Sequence, residues 1–352
     1  VPSHVNQQTL KMLMRDYKSF FEGLKRYKKS PDAFTGRPHL PHYKKSASTA
    51  ILTNQICVLH EGRYLKLPKC SHKADFGKLN GKLKEVRIKP YLDSVSIETV
   101  MEISGEMPSF TEEDITALCG SSVIPVKVLG MDPGVNNLLA VTNNFGEQPF
   151  LINGRWLKAV NQYYNKELAR LKSAAELCNG KKTTRRIRAL TRKRNNRIKD
   201  AMHKISTWVT RYAKDHDVKL VVMGHNKFQK QEVSMGTQNN QSFVQIPMDM
   251  LRRQLQYKLE EAGIMFVCTE EAYSSKSDYL AGDDVPEYVR GQHHEFSGKR
   301  IHRGLYRHYN GTISNADING AANIIRKVFS NVPKELWDRG LLDSPYLADV
   351  CC

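Results

Sequence analysis

Three acidic segments carry the chemistry this chain could do. The first centres on Asp132, in Val126-Lys127-Val128-Leu129-Gly130-Met131-Asp132-Pro133-Gly134. There a short apolar run ends in a carboxylate, and a Pro-Gly turn leads into a second apolar run, Leu138-Leu139-Ala140-Val141. The second is Thr269-Glu270-Glu271, and the third is Asn315-Ala316-Asp317-Ile318-Asn319. Each is ordinary alone. Asp-Pro-Gly is a common turn, acids favour the first turn of a helix, and polar residues commonly end strands. All three, however, lie at the ends of elements. A sheet that gathered those ends at one edge would assemble hard oxygen ligands for two Mg²⁺ (or Mn²⁺) ions, an arrangement that cuts phosphodiesters. Without ions, the carboxylates would repel one another and push some of their pKa values up.

The elements that must position them are legible in the periodicity. Leu10, Leu13, Tyr17, Phe20, Phe21, Leu24 and Tyr27 predict a helix over 5–29, followed by a proline-stiffened basic connector, so 1–47 reads as a helical segment with a linker. Short apolar runs between Gly and charged turns predict a small β-rich domain over 48–122. From 123 onward, strands are expected at 126–131, 138–143 and near 149–153. A helix with Leu157, Val160, Tyr164, Leu168 and Leu171 on one stripe then runs to Asn179-Gly180. A second helix resumes near 184. Leu220–Met223 reads as a buried strand, a helix opens at Pro247 and ends at Gly263, and Ile264–Cys268 is the next strand. Residues 276–314 lack apolar periodicity and read as an irregular basic insert before a last helix from 316. Three meandering strands followed by alternating helix and strand describe an RNase H-like α/β domain over 123–352.

Charge points to a polyanionic partner. The chain has 352 residues, with 54 Lys and Arg against 36 Asp and Glu, a net charge of +18. The excess is concentrated: Arg185, Arg186, Arg188, Arg192, Lys193, Arg194 and Arg197 follow one another with no acid before Asp200. Solvated helix faces normally mix signs, so phosphates are the expected counter-charge, and Arg suits bidentate contacts with them. Such contacts position a nucleic acid without reading its sequence. The seven cysteines are scattered with no C-x-x-C pair, which supports neither a disulfide framework nor a zinc ribbon and fits a reducing cytoplasm. No apolar stretch reaches the roughly 18 residues needed to cross a membrane. The chain opens Val1-Pro2-Ser3 without an initiator Met, so a missing start is expected.

At the carboxylates the chain resembles the TnpB (OrfB) proteins of bacterial insertion sequences, relatives of the type V CRISPR effectors. Gly130-Met131-Asp132-Pro133-Gly134 is similar to their first RuvC motif, and Asn315-Ala316-Asp317-Ile318-Asn319-Gly320-Ala321-Ala322-Asn323-Ile324 to the third. Glu271-Ala272-Tyr273-Ser274-Ser275-Lys276 looks like the segment leading to the family's zinc ribbon, and Lys276 joins the expected nucleic-acid contacts. Helix 5–29 with Gly36-Arg37-Pro38-His39-Leu40-Pro41-His42-Tyr43-Lys44 looks like the family's N-terminal half. The resemblance implies an RNA-guided DNA endonuclease with a RuvC-like domain and a preceding wedge-like β domain whose usual start is absent. It implies Mg²⁺, a guide RNA, a double-stranded DNA target, no membrane, and a bacterial cytoplasm with action at the nucleoid. Monomer and dimer both stay open.

Two departures bear on that implication. Where the family's second motif has a glutamate after the buried strand, this chain has Val221-Val222-Met223-Gly224-His225-Asn226. A carboxylate at the neighbouring strand end could reach the same metal. That role is assigned to Glu271, with Glu270 as the competitor, since alternation lets only one point inward. The zinc-ribbon cysteines are also missing, so 276–314 is read as an insert replacing the ribbon, zinc is not expected, and His293, His294, His302 and His308 are read as RNA contacts or surface. Gly224 motivates one alternative, a nuclease-inactive RNA-guided DNA binder. The other is an unguided RuvC-type resolvase or transposase.

Overall fold

A computed structural model describes residues 3–43, 48–104, 110–119, 126–225, 246–289, 291–302, 304–329 and 344–350. The domain boundary expected at 122–123, Asn226, and Lys44 of the connector lie outside these residues. Contacts divide the chain into two units, Val1–Glu106 with Thr183–Ala189, and Met107–Lys182 with Leu190–Cys352. The N-terminal helix and the β-rich segment share the first unit.

In that unit α1 spans Ser3–Lys29. It is followed by β1 (Ala50–Thr53), β2 (Val58–His60), β3 (Tyr64–Lys66), β4 (Lys73–Asp75), β5 (Lys82–Tyr91) and β6 (Ser94–Glu102). They form two three-stranded sheets, β1-β5-β6 and β2-β3-β4, antiparallel throughout. Leu52, Cys57, Leu65, Leu83 and Val86 make the small core, and Val5 of α1 packs against it. The apolar stripe expected on α1 is only partly covered: Leu10, Leu13 and Phe21 are exposed, and Tyr17, Phe20, Leu24 and Tyr27 are half-buried.

The second unit begins with α2 (Glu112–Cys119), which the sequence did not signal, and then builds one mixed sheet. Its strands are β7 (Val128–Pro133), β8 (Asn137–Asn143), β9 (Phe150–Asn153), β10 (Leu220–Gly224) and β11 (Met265–Thr269), with a short β15 (Tyr346–Ala348) at one edge. The order is β11-β10-β7-β8-β9-β15. β11, β10 and β7 run parallel, whereas β7, β8 and β9 form an antiparallel meander. Between them come α3 (Arg155–Asn179), which Gly180 caps in the left-handed conformation, and then α4 (Arg185–Asp215) and α5 (Met248–Glu261).

Alternation along the strands sorts the core. Leu129, Met131, Val221 and Met223 face Met202, Ile205, Val209, Leu251 and Leu255 of α4 and α5. Val128, Leu220 and Val222 face Ile324 and Ile325 of α6 (Ala316–Val328) on the other side. Each fully buried isoleucine of α6 contributes about 1.5–3 kcal/mol by burial. Gly130 makes the close fit possible, because a Cβ there would lie 2.5 Å from Ala321 O.

The stretch 276–314 is not irregular as expected. It contains an antiparallel sheet of β12 (Lys299–His302), β13 (Leu305–Arg307) and β14 (Ile313–Asn315). Its strands are three or four residues long, too short to register as an alternating pattern. The buried carboxylate of Asp278 ties it together, accepting from His308 Nδ1 and from the backbone N–H of Leu280, Ala281 and Tyr309. Among the described residues, no helix is long and apolar enough to cross a membrane.

Candidate metal centre and nucleic-acid contacts

The strand pattern dictates where Asp132 goes. Val128 and Gly130 of β7 face α6, so Asp132 lies on the same side, at the end where Pro133-Gly134 turns the chain. Its carboxylate abuts α6 so closely that a Cβ at Gly320 would lie 2.7 Å from Asp132 Oδ2. Asp317 enters from the first turn of that helix. Asn315 caps the turn, its Oδ1 accepting from the N–H of Asp317 at 3.0 Å and of Ile318 at 3.2 Å.

Glu271 arrives two residues past β11. β11 and β10 are parallel neighbours with Met223 opposite Cys268 and Gly224 opposite Thr269. A Cβ built on Gly224 would lie 3.3 Å from both Cβ and Oε2 of Glu271, and 2.8 Å from Ile324 Cδ1. The space a side chain at 224 would enter is therefore filled by the glutamate from the next strand. Glu270 is committed elsewhere, accepting from Lys327 Nζ at 3.2 Å.

Asp132 feels both of the other carboxylates. Burial, then Glu271, then Asp317 push the Asp132 carboxyl well above its usual range, and Arg300 opposes them. Asp317 is tied by two donors, Arg300 Nη2 to Oδ1 at 3.0 Å and Asn137 Nδ2 to Oδ2 at 2.8 Å. Among the described residues, no His, Cys, Asp and Glu stand together as a ready-made metal cage. Arg300 supplies positive charge beside Asp317. The donors are otherwise of the right kind: oxygen-only, anionic and mutually repelling, which is the chemistry that a hard divalent cation relieves.

Asp132 and Asp317 line one side of a cleft of about 520 Å³, together with Gly134, Asn136, Asn137, Arg155 and Arg300. The Arg155 guanidinium, at the start of α3, makes no hydrogen bond or ion pair among the described residues. Sequence reading missed Arg300, Asn137 and Arg155. Only an Asn at the end of the hairpin turn and a basic pair opening a short strand could have hinted at them.

The expected basic contacts do not all look outward. Arg185, Arg186, Arg188, Lys193 and Arg197 are exposed on α4. Arg194 is half-buried and braces α3 instead: its Nε and Nη2 donate to Asn161 Oδ1 at 2.9 and 2.7 Å, and it lies over the Tyr164 ring. Arg192 is half-buried too, and Lys276 is exposed beside the Tyr273 ring. The histidines also divide. His293 and His302 are exposed and His294 packs on Tyr273, but His308 is buried between Asp278 and Ser314, correcting its reading as surface.

Two family models match parts of the chain. A family model described as OrfB_IS605, probable transposase, matches residues 113–229, which include Asp132 and Gly224. A second, described as Cas12f1-like, TNB domain, matches 249–324, which include Glu271, Arg300 and Asp317. No curated protein gives a match. Among solved structures, a cryo-EM Cas12f1–sgRNA–target DNA complex is 15% identical, with a TM-score of 0.43, over 69% of this chain and 45% of that one. A CRISPR-Cas12f ternary complex is 12% identical, with a TM-score of 0.39, over 87% of this chain and 69% of that one. This chain thus spans under half the length of the first. One family match thus covers the first carboxylate and the other covers the remaining two, as the resemblance to the TnpB (OrfB) proteins leads one to expect.

Proposed function

We propose that the chain is an RNA-guided, Mg²⁺-dependent DNA endonuclease whose site is RuvC-like, in an RNase H-like domain. The observation that carries this reading is the fit between Gly224 and Glu271: the place of the missing second-motif side chain is taken by a carboxylate facing Asp132. Asp132, Glu271 and Asp317 would hold the metal, which when bound activates a water and stabilises the leaving oxygen. The chain's other groups serve the substrate. Arg155, whose guanidinium makes no hydrogen bond among the described residues, lines the cleft where it can meet a backbone phosphate. Arg300 holds the Asp317 carboxylate in place at 3.0 Å. The exposed arginines and lysine of α4 grip the guide and its duplex with target through phosphates, leaving sequence choice to base pairing.

Gly224 no longer favours the inactive-binder alternative, because a carboxylate occupies its neighbourhood. The test is to purify the full-length protein with its RNA and incubate it with matching double-stranded DNA and Mg²⁺, with and without prior removal of the RNA. Cutting that requires both RNA and metal is expected. RNA retention without cutting would leave the binder, and cutting without RNA would point to a resolvase.

A further inference from the structure

The turn that presents Glu271 is one its own residues disfavour. Tyr273 has φ +61°, a left-handed backbone that strains a bulky side chain. Local bonds close the turn: Ser274 N and Oγ donate to Glu271 O at 3.3 and 2.9 Å, and Lys276 N and Ser277 N donate to Tyr273 O at 2.9 Å. Strain of this kind persists only where the surroundings over-determine it.

Here α6 supplies the surroundings. Asn323 Nδ2 donates to Ser274 O at 2.9 Å and to Ser277 O at 2.7 Å. Asn319 Nδ2 donates to Ser277 O at 2.9 Å, and its Oδ1 accepts from Tyr279 N at 3.2 Å. Both asparagines are 0% exposed, where bonds to water cannot replace those lost. They flank Gly320, which abuts Asp132, on the helix whose first turn carries Asp317. One helix therefore carries one acidic residue, contacts a second and bolts down the turn that bears the third.

We propose that Asn319 and Asn323 are positioning residues acting through Glu271: they hold the strained 271–279 turn so that its carboxylate stays beside Gly224, set against Asp132 and Asp317. This rests on reading the three carboxylates as metal ligands. Asn323 is the stronger bolt because its amide donates to two carbonyls. Asn319→Ala is the milder variant for Glu271, because its bonds reach Ser277 and Tyr279, farther along the turn than Ser274.

The test uses the full-length chain freed of nucleic acid, with Mn²⁺ binding followed by electron paramagnetic resonance. Binding absent from Asp132→Ala reports the centre. Asn323→Ala is expected to weaken that component about tenfold or more, as lost outer-shell contacts do, and Asn319→Ala by less. RNA retention should be unchanged in both. In a Glu271→Gln background, Asn323→Ala should add nothing, because a residue acting through Glu271 is silent without it. Normal binding by both variants, or a further equal loss in the Glu271→Gln background, would overturn the proposal. Equal Mn²⁺ binding by wild type and Asp132→Ala would instead sink the metal-site reading, and the proposal with it.

Discussion

The Cβ that Gly224 lacks would stand 3.3 Å from Glu271 Oε2, so the two positions compete for one space at the ends of adjacent parallel strands. Adding that atom should displace the carboxylate. Gly224→Ala is expected to slow single-turnover cleavage by about 10²-fold, as small misplacements of reacting groups do. Melting should shift little, since the nearest obstacle at 2.8 Å is the end of the Ile324 side chain. The swap Gly224→Glu with Glu271→Ala should recover part of the rate lost by Glu271→Ala alone. Equal rates for the swap and Glu271→Ala would argue that the two positions do not share a ligand space.

Asp132 is predicted to be a stability liability without metal. Burial, Glu271 and Asp317 raise its carboxyl pKa, Arg300 notwithstanding. For an acid, a raised folded pKa subtracts stability as pH climbs above the unfolded value near 3.9, and does so in full above the folded value. Asp132→Asn should therefore melt higher than wild type at pH 7 in chelator, by about 2–4 °C per kcal/mol recovered. Added Mg²⁺ should raise the wild type and leave the variant unmoved. A variant that melts lower in chelator would contradict this.

Arginines on one helix should separate by role. Arg194→Ala breaks bonds to Asn161 and should cost about 1.5–3 kcal/mol of stability while leaving the salt dependence of RNA binding unchanged. Arg188→Ala, Lys193→Ala and Arg197→Ala, exposed positions, should each lower the slope of log affinity against log salt by about 1 and leave melting alone. Salt titrations read both.

The insert should have an acid limit set by Asp278. Burial raises this carboxyl, but His308 and the N–H groups of Tyr309 and Ala281 outweigh it, and the net shift is downward. The stability it lends is present above the unfolded value near 3.9 and is lost as pH falls through the folded one. Asp278→Ala should destabilise the insert by about 3–5 kcal/mol, because it strands buried donors. Amide exchange should accelerate at Leu280, Ala281 and Tyr309 and stay slow in β7 and β8. Uniform acceleration across both would show that the insert is not a separate stability unit.

Much of the sheet and helix order was legible because apolar runs such as 126–131 and 220–223 are bounded by turn residues that fix where strands end. Asp132 and Asp317 could be singled out for the same reason. That Glu271 stands in for a side chain at Gly224 was expected from the resemblance and the strand order, but how closely the two approach needed the register of two strands separated by a helix. Arg194 could not be told from its neighbours because its partner, Asn161, lies on another helix. β12 to β14 hid because turns and a buried carboxylate, rather than alternating apolar residues, hold them.

The sharpest test is the rate at which the RNA-bound protein cuts matching double-stranded DNA in Mg²⁺, compared among wild type, Asp132→Ala, Glu270→Ala and Glu271→Ala. Glu270, paired with Lys327, should be dispensable to within a few fold. Loss of either Asp132 or Glu271 should reduce cutting by about 10³-fold or more, since each is expected to hold the ions that make the nucleophile and stabilise the leaving group. Cleavage that survives Glu271→Ala and fails in Glu270→Ala would contradict the assignment of Glu271 as the relocated ligand.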